Sequence, residues 1–155
     1  MISYFKVKDK VSVVNYFYEQ ESEWWHNNIH KNRGSSDENV IETVNTMSDN
    51  TTLFVVNQDR EMAGFFGYYE ENEGKVLVGF HIAKKFRYAD FIISFWEIVK
   101  SVFISSFFTG VYEKNKEAMN HLLLQGFKVV NKITDNKGCI NILFLNQSIC
   151  QQAAV

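Results

Sequence analysis

Apolar and polar positions change rhythm along this chain, and each change marks an element. Residues 2–7 (ISYFKV) are rich in β-formers and read as a strand. Across 11–28, Val13, Val14, Phe17, Tyr18, Trp24 and Trp25 recur at spacings that suit one face of a helix. Residues 32–37 (NRGSSD) read as a loop. Its Asp37 would cap a second helix that buries Val40, Ile41, Val44 and Met47. Three strands follow at 52–56 (TLFVV), 62–69 (MAGFFGYY) and 75–82 (KVLVGFHI). Polar turns at 57–61 and 70–74 separate them, as in an antiparallel meander. Gly64 and Gly67 allow a bulge or a close backbone approach.

Residues 84–90 (KKFRYAD) form a basic connection ending in Asp. The strongly apolar run 91–104 then predicts a buried helix capped by Asp90, with Ile92, Phe95, Trp96, Val99 and Phe103 on one side. Residues 106–112 predict a strand and 116–125 a helix, with Asn115 as its N-cap and Gly126 where a helix end favours glycine. Strands at 127–133 and 140–145 flank a hairpin turn at 135–138 (DNKG). The order β, α, α, β, β, β, α, β, α, β, β gives an α+β or mixed α/β fold. The unit spanning 76–112 should be a right-handed parallel crossover.

At 155 residues the chain is most simply one domain, read as 1–147 with a polar tail at 148–155. A net charge of −2 gives no field that favours nucleic acid. No apolar run approaches the roughly 18 residues of a membrane span, and Met1 leads directly into a strand, so the expected location is cytoplasmic. There is no proline, so turns must come from Gly, Asn, Asp and Ser. Cys139 and Cys150 lack metal-ligand spacing and read as reduced thiols. His26 and His30 share a helix face but lack a third ligand, so an exposed polar face is the reading.

The pattern Asn115-x-x-Ala118 with Gly126-Phe127, in this element order, resembles the GNAT superfamily of acyl-CoA-dependent N-acyltransferases over nearly the whole chain. The resemblance implies a mostly antiparallel sheet, splayed between strands four and five and flanked by helices. It implies acetyl-CoA or CoA as cofactor, with pantetheine in the splay and pyrophosphate on the following helix N-terminus. Direct transfer to a small-molecule or protein amine would follow. By that resemblance Phe80, His81, Ile82, Lys84, Lys85, Arg87, Tyr88, Asn115 and Ala118 fall at cofactor-binding positions. His81, Glu113 and Tyr112 are the candidates for acid or base. The plainer reading makes His81 an ordinary polar-face strand residue opposite Phe80 and Ile82, and Glu113 a solvated strand-end carboxylate, an ambiguity that Glu70 and Glu71 share. Trp24 and Trp25 fall in the helical region that the resemblance sets beside the acceptor, with at least one of them read as core.

Two departures stand out. Asp90 and Ile92 occupy the glycine places of the phosphate loop, and Leu122 stands where the family often has an acidic Tyr. Leu cannot donate a proton. They support an alternative, a GNAT-fold protein that has lost catalysis and serves as a binding or structural partner. The Asn, Lys, Ile and Phe richness would suit an AT-rich phage or bacterial genome, and such degenerate relatives are familiar among phage proteins. The 14 Phe, 7 Tyr and 3 Trp could also supply a surface for a partner or for a homodimer.

Overall fold

The computed structural model describes residues 1–25, 50–71, 74–103, 107–134 and 140–146. The expected loop at 32–37, the second helix, His26, His30, the turn at 135–138, both cysteines and the tail lie outside the described residues.

The described strands are β1 (Ile2–Lys6), β2 (Thr52–Gln58), β3 (Glu61–Glu71), β4 (Gly74–Ile82), β5 (Phe107–Tyr112), β6 (Lys128–Thr134) and β7 (Ile140–Asn146). The helices are α1 (Lys10–Gln20), the short α2 (Ser22–Trp25), α3 (Ala89–Phe103) and α4 (Lys116–Leu124), with a 3-10 turn at Lys84–Phe86. The sheet runs β1-β2-β3-β4-β5-β7-β6. All neighbours are antiparallel except β4 and β5, which the α3 crossover makes parallel.

Helices cover the middle of the sheet on both faces. On one side Phe17 of α1 meets Phe65 and His81 at ring separations of 5.3 and 5.6 Å. On the other, α3 buries Phe91, Phe95, Trp96, Val99 and Phe103. Phe95 meets Phe66 edge-on, Trp96 meets Phe80 and Phe127, and Phe103 stacks on Phe107 at 4.0 Å. Each such aromatic, fully buried, stabilises the fold by about 1.5–3 kcal/mol before entropy is counted.

Three local outcomes differ from the sequence reading. The helix expected across 11–28 breaks at Glu21, whose backbone leaves the helical region at φ −138 and ψ 43 while its N–H still reaches Tyr18 O. Asp90 does not cap α3; the helix begins at Ala89, and Asp90 sits in its first turn. The cause is that Ile92 N–H already bonds to Tyr88 O, so Tyr88 takes the capping position. An acid in that first turn still complements the helix dipole. His81 was expected on an ordinary polar face of strand four, yet it is buried, because helices cover both faces of β4.

Gly64 and Gly67 do what their positions suggested. A Cβ on Gly64 would lie 2.6 Å from the His81 carbonyl oxygen and 3.2 Å from a Phe95 ring carbon, so only glycine lets β3, β4 and α3 close together there. Gly67 pairs with Gly79 while Tyr68 pairs with Leu77, which leaves Val78 as the extra residue of a bulge in β4.

Candidate functional site

The bulge at Val78 coincides with the point where β4 leaves β5. Their ladder pairs Lys75 with Phe107, Val76 with Phe108 and Leu77 with Thr109, and goes no further. Thr109, buried in β5, donates its hydroxyl to the Leu77 carbonyl at 2.9 Å and pins the fork. Beyond it the two strands diverge, each still paired on its outer side.

Register settles which backbone groups line the opening. Ala83 N–H bonds to Ala63 O, so along β4 the groups of His81 and Gly79 also point to β3, and those of Phe80 and Ile82 point to the gap. Glu113 N–H bonds to Ile140 O, so Val111 points to β7, and Gly110 and Tyr112 point to the gap. Gly79 and Gly110 have nothing within 4 Å of an added Cβ, which leaves open space beside the fork. An extended ligand bearing amides could pair with such an edge as a strand does.

The loop after β4 is tightly organised. Amides of Phe86, Arg87 and Tyr88 bond to Ala83 O, Lys84 O and Phe86 O. Arg87 donates Nε to the gap-facing Ile82 carbonyl at 2.8 Å and Nη2 to Glu21 Oε2 at 2.7 Å, and its Nη1 lies 3.7 Å from Glu117 Oε1 on α4. The other Glu21 oxygen accepts from Lys84 N–H at 2.6 Å. Lys84 and Tyr88 are exposed, and the Lys85 ammonium holds Glu61 at 2.8 Å, which raises its pKa. Ahead of the first helical bond of α3 stand the amides of Ala89, Asp90 and Phe91, the place where a helix end favours an anion.

His81 and Glu113 do not meet. His81 faces α1, away from Phe80, with Nε2 3.9 Å from Glu21. Burial, aided by the Arg87 guanidinium, pushes its pKa from 6.5 down to about 3, so the imidazole is neutral. Glu113 reaches Lys132 on β6 at 3.4 Å, on the far side of β7 from the gap. Tyr112, half-buried, ends β5 and lends its carbonyl to Asn115 N–H at 2.9 Å. Asn115 is buried, and its Oδ1 caps α4 by accepting from Ala118 N–H at 3.3 Å. Gly126, at φ +89, and Phe127 return their amides to Leu123 O and Leu122 O, a Schellman ending for α4.

On α4, His121 points about a quarter-turn away from its neighbour Leu122, and the fold shows where that turn leads. Leu122 is fully buried in the core, whereas the His121 ring lies 6.2 Å from Phe80 and 5.7 Å from Trp96. His121 Nε2 and Trp96 Nε1 are both buried with no hydrogen-bond partner among the described residues. Burial lowers the His121 pKa; Glu117 opposes the shift and Arg87 adds to it. Glu21 carried no sequence signal at all, because its partners lie 63 and 66 residues away. Among the described residues no cluster of His, Cys, Asp and Glu could hold a metal, and no helix could cross a membrane.

No protein-family model and no curated protein matches the chain. Solved structures do. A GNAT-family acetyltransferase from Bacillus cereus ATCC 10987 superposes with a TM-score of 0.68 at 14% identity, over 96% of this chain and 99% of that one. An aminoglycoside N(6')acetyltransferase from Legionella pneumophila gives 0.71 at 10% identity, over 99% and 96%. A Salmonella typhimurium acetyltransferase that modifies the N-terminal serine of ribosomal protein L7/L12 gives 0.70 at 10% identity, over 94% of each. The chain thus has the fold of the GNAT acetyltransferases.

Proposed function

We propose that the protein is an N-acyltransferase that moves an acyl group from acyl-CoA to an amine. The observation that carries this is the fork: pairing between β4 and β5 stops at Leu77 and Thr109, and Phe80 and Ile82 then turn backbone donors and acceptors into the gap. The pantetheine arm is an extended chain with amides, and that edge suits it. The first-turn amides of α3, with Lys84, suit a pyrophosphate. The Asn115 amide nitrogen suits a carbonyl of the arm. A bound acyl thioester supplies an activated carbonyl.

The chain's own part is to hold and polarise. The Phe80 and Ile82 N–H groups are the strand-edge donors for a carbonyl oxygen. His81, neutral and on the opposite face, is a poor base, since a pKa of about 3 leaves little drive to take a proton near neutrality. Glu113 is held by Lys132. The amine is therefore deprotonated by water or before it binds. His121 beside Phe80 can offer an N–H hydrogen bond to a leaving thiolate, where Leu122 can offer nothing, and the thiolate takes its proton from water or from the amine.

Calorimetric titration with acetyl-CoA and CoA tests the reading, using Asn115→Asp as the informative variant. Asp keeps the capping oxygen and therefore the helix. It loses the amide N–H groups, and binding should weaken about tenfold for one lost hydrogen bond. Absence of any binding at millimolar CoA would sink the proposal.

A further inference from the structure

Arg87 does more than sit in the phosphate loop: it spans the open end of the fork. Its guanidinium touches three elements, the Ile82 carbonyl at the end of β4, Glu21 just past α1, and Glu117 in the first turn of α4. One of these, the Ile82 carbonyl, is itself an acceptor facing the gap. The Glu21 carboxylate meanwhile sits on the Lys84 amide, so an anion of the chain already occupies the first N–H of the loop. The neighbouring His81 is neutral and contributes no positive charge to Glu21. The Arg87 and Glu21 side chains are only 22% and 11% exposed, so neither charge can simply be released to water.

We infer that Glu21, Arg87 and Glu117 form a gate across the β4–β5 cleft, opened by anion exchange. An incoming phosphate group takes Arg87 from the two carboxylates and replaces Glu21 on the Lys84 amide. Because removing one partner of a shielded pair strands the other charge, only a ligand that brings its own negative charge opens the gate. An acyl carrier without phosphate would find the Ile82 acceptor covered. The break in the helix at Glu21 has its purpose here, since it swings the carboxylate onto the loop. This rests on the acyl-CoA reading for the ligand's identity, and not for the gate itself.

The test uses inorganic pyrophosphate and CoA as separate probes, titrated by calorimetry at fixed ionic strength. Glu21→Gln keeps an oxygen for the Lys84 amide and removes the charge. It should bind pyrophosphate about tenfold more tightly than the wild type, the scale of one charge-assisted contact. Glu117→Gln, on the more exposed arm, should give about a two- to threefold gain. Adding Arg87→Gln to Glu21→Gln should abolish the gain. In the wild type, pyrophosphate should shift the NMR signals of Arg87 Nε–H and the Lys84 amide together, a readout that does not depend on any variant folding. Pyrophosphate affinity that is unchanged or lower in Glu21→Gln overturns the gate, as does failure of those two signals to move. Tighter pyrophosphate binding without CoA binding in any variant keeps the gate and removes the acyl-CoA reading. CoA binding that is equal in all variants does the reverse.

Discussion

His81 shows how far a single residue can be read from sequence. Alternation along β4 places it correctly opposite Phe80 and Ile82, but nothing local reveals that α1 lies over it. Its surroundings are Phe17 and Phe65, with Glu21 at the edge. The folded pKa of about 3 lies below the unfolded 6.5, so the unfolded state binds the extra proton as pH falls. Stability tied to this residue is complete above about pH 6.5 and is lost progressively down to about pH 3. Between pH 7 and 5 the loss should be about 2 kcal/mol. Urea unfolding of the wild type and of His81→Leu at both pH values isolates that share, because other titrating groups are common to the two chains. An equal pH slope in both would show that His81 is accessible and protonates freely.

At the scale of elements, strand and helix existence was largely legible; the fork was legible only through the family resemblance, and its position in β4 was not. Dense β-branched and aromatic residues mark β2, β3 and β4, while Asn115 and Gly126 bracket α4. The fork depends on one residue, Val78, being extra relative to β3, and only the glycines opposite hinted at it. It can be tested amide by amide. Phe80, Ile82, Gly110 and Tyr112 point N–H groups into the gap, while His81 and Val111 point theirs into ladders. Hydrogen exchange should therefore alternate along both strands, with the first set faster by at least about tenfold, since exposed amides open at little cost. Saturating acetyl-CoA should slow Phe80 and Ile82 and leave His81 unchanged. Uniform protection along Gly79–Ile82 without ligand would mean that the strands are in fact paired.

The whole molecule must hold together across an opening in its own sheet. β1 to β4 lie on one side, β5, β7 and β6 on the other, and the ladder between them has three residue pairs. The resemblance anticipated the splay, but not the order that puts β7 between β5 and β6, which is a matter of long-range register, as is the meeting of Glu21 with Arg87. What joins the halves is α3. Phe95 packs on Phe66 and Trp96 on Phe80 from one half, while Phe103 packs on Phe107 and Trp96 on Phe127 from the other. Trp96 and Phe103 each touch both halves, Phe103 through Tyr68 on β3 and Phe107 on β5, and Trp96 is the larger of these two fully buried side chains. Removing its side chain should cost about 3–5 kcal/mol. The contacts of Phe95 with Phe66 and of Phe103 with Tyr68 and Phe107 remain, so the halves should still unfold together. Urea denaturation of Trp96→Ala, followed by circular dichroism and fluorescence, should show a lower midpoint, an unchanged slope and coincident transitions. Two separated transitions would mean that the halves depend on this one indole for their cooperativity, and that α3 as a whole does not bridge the gap.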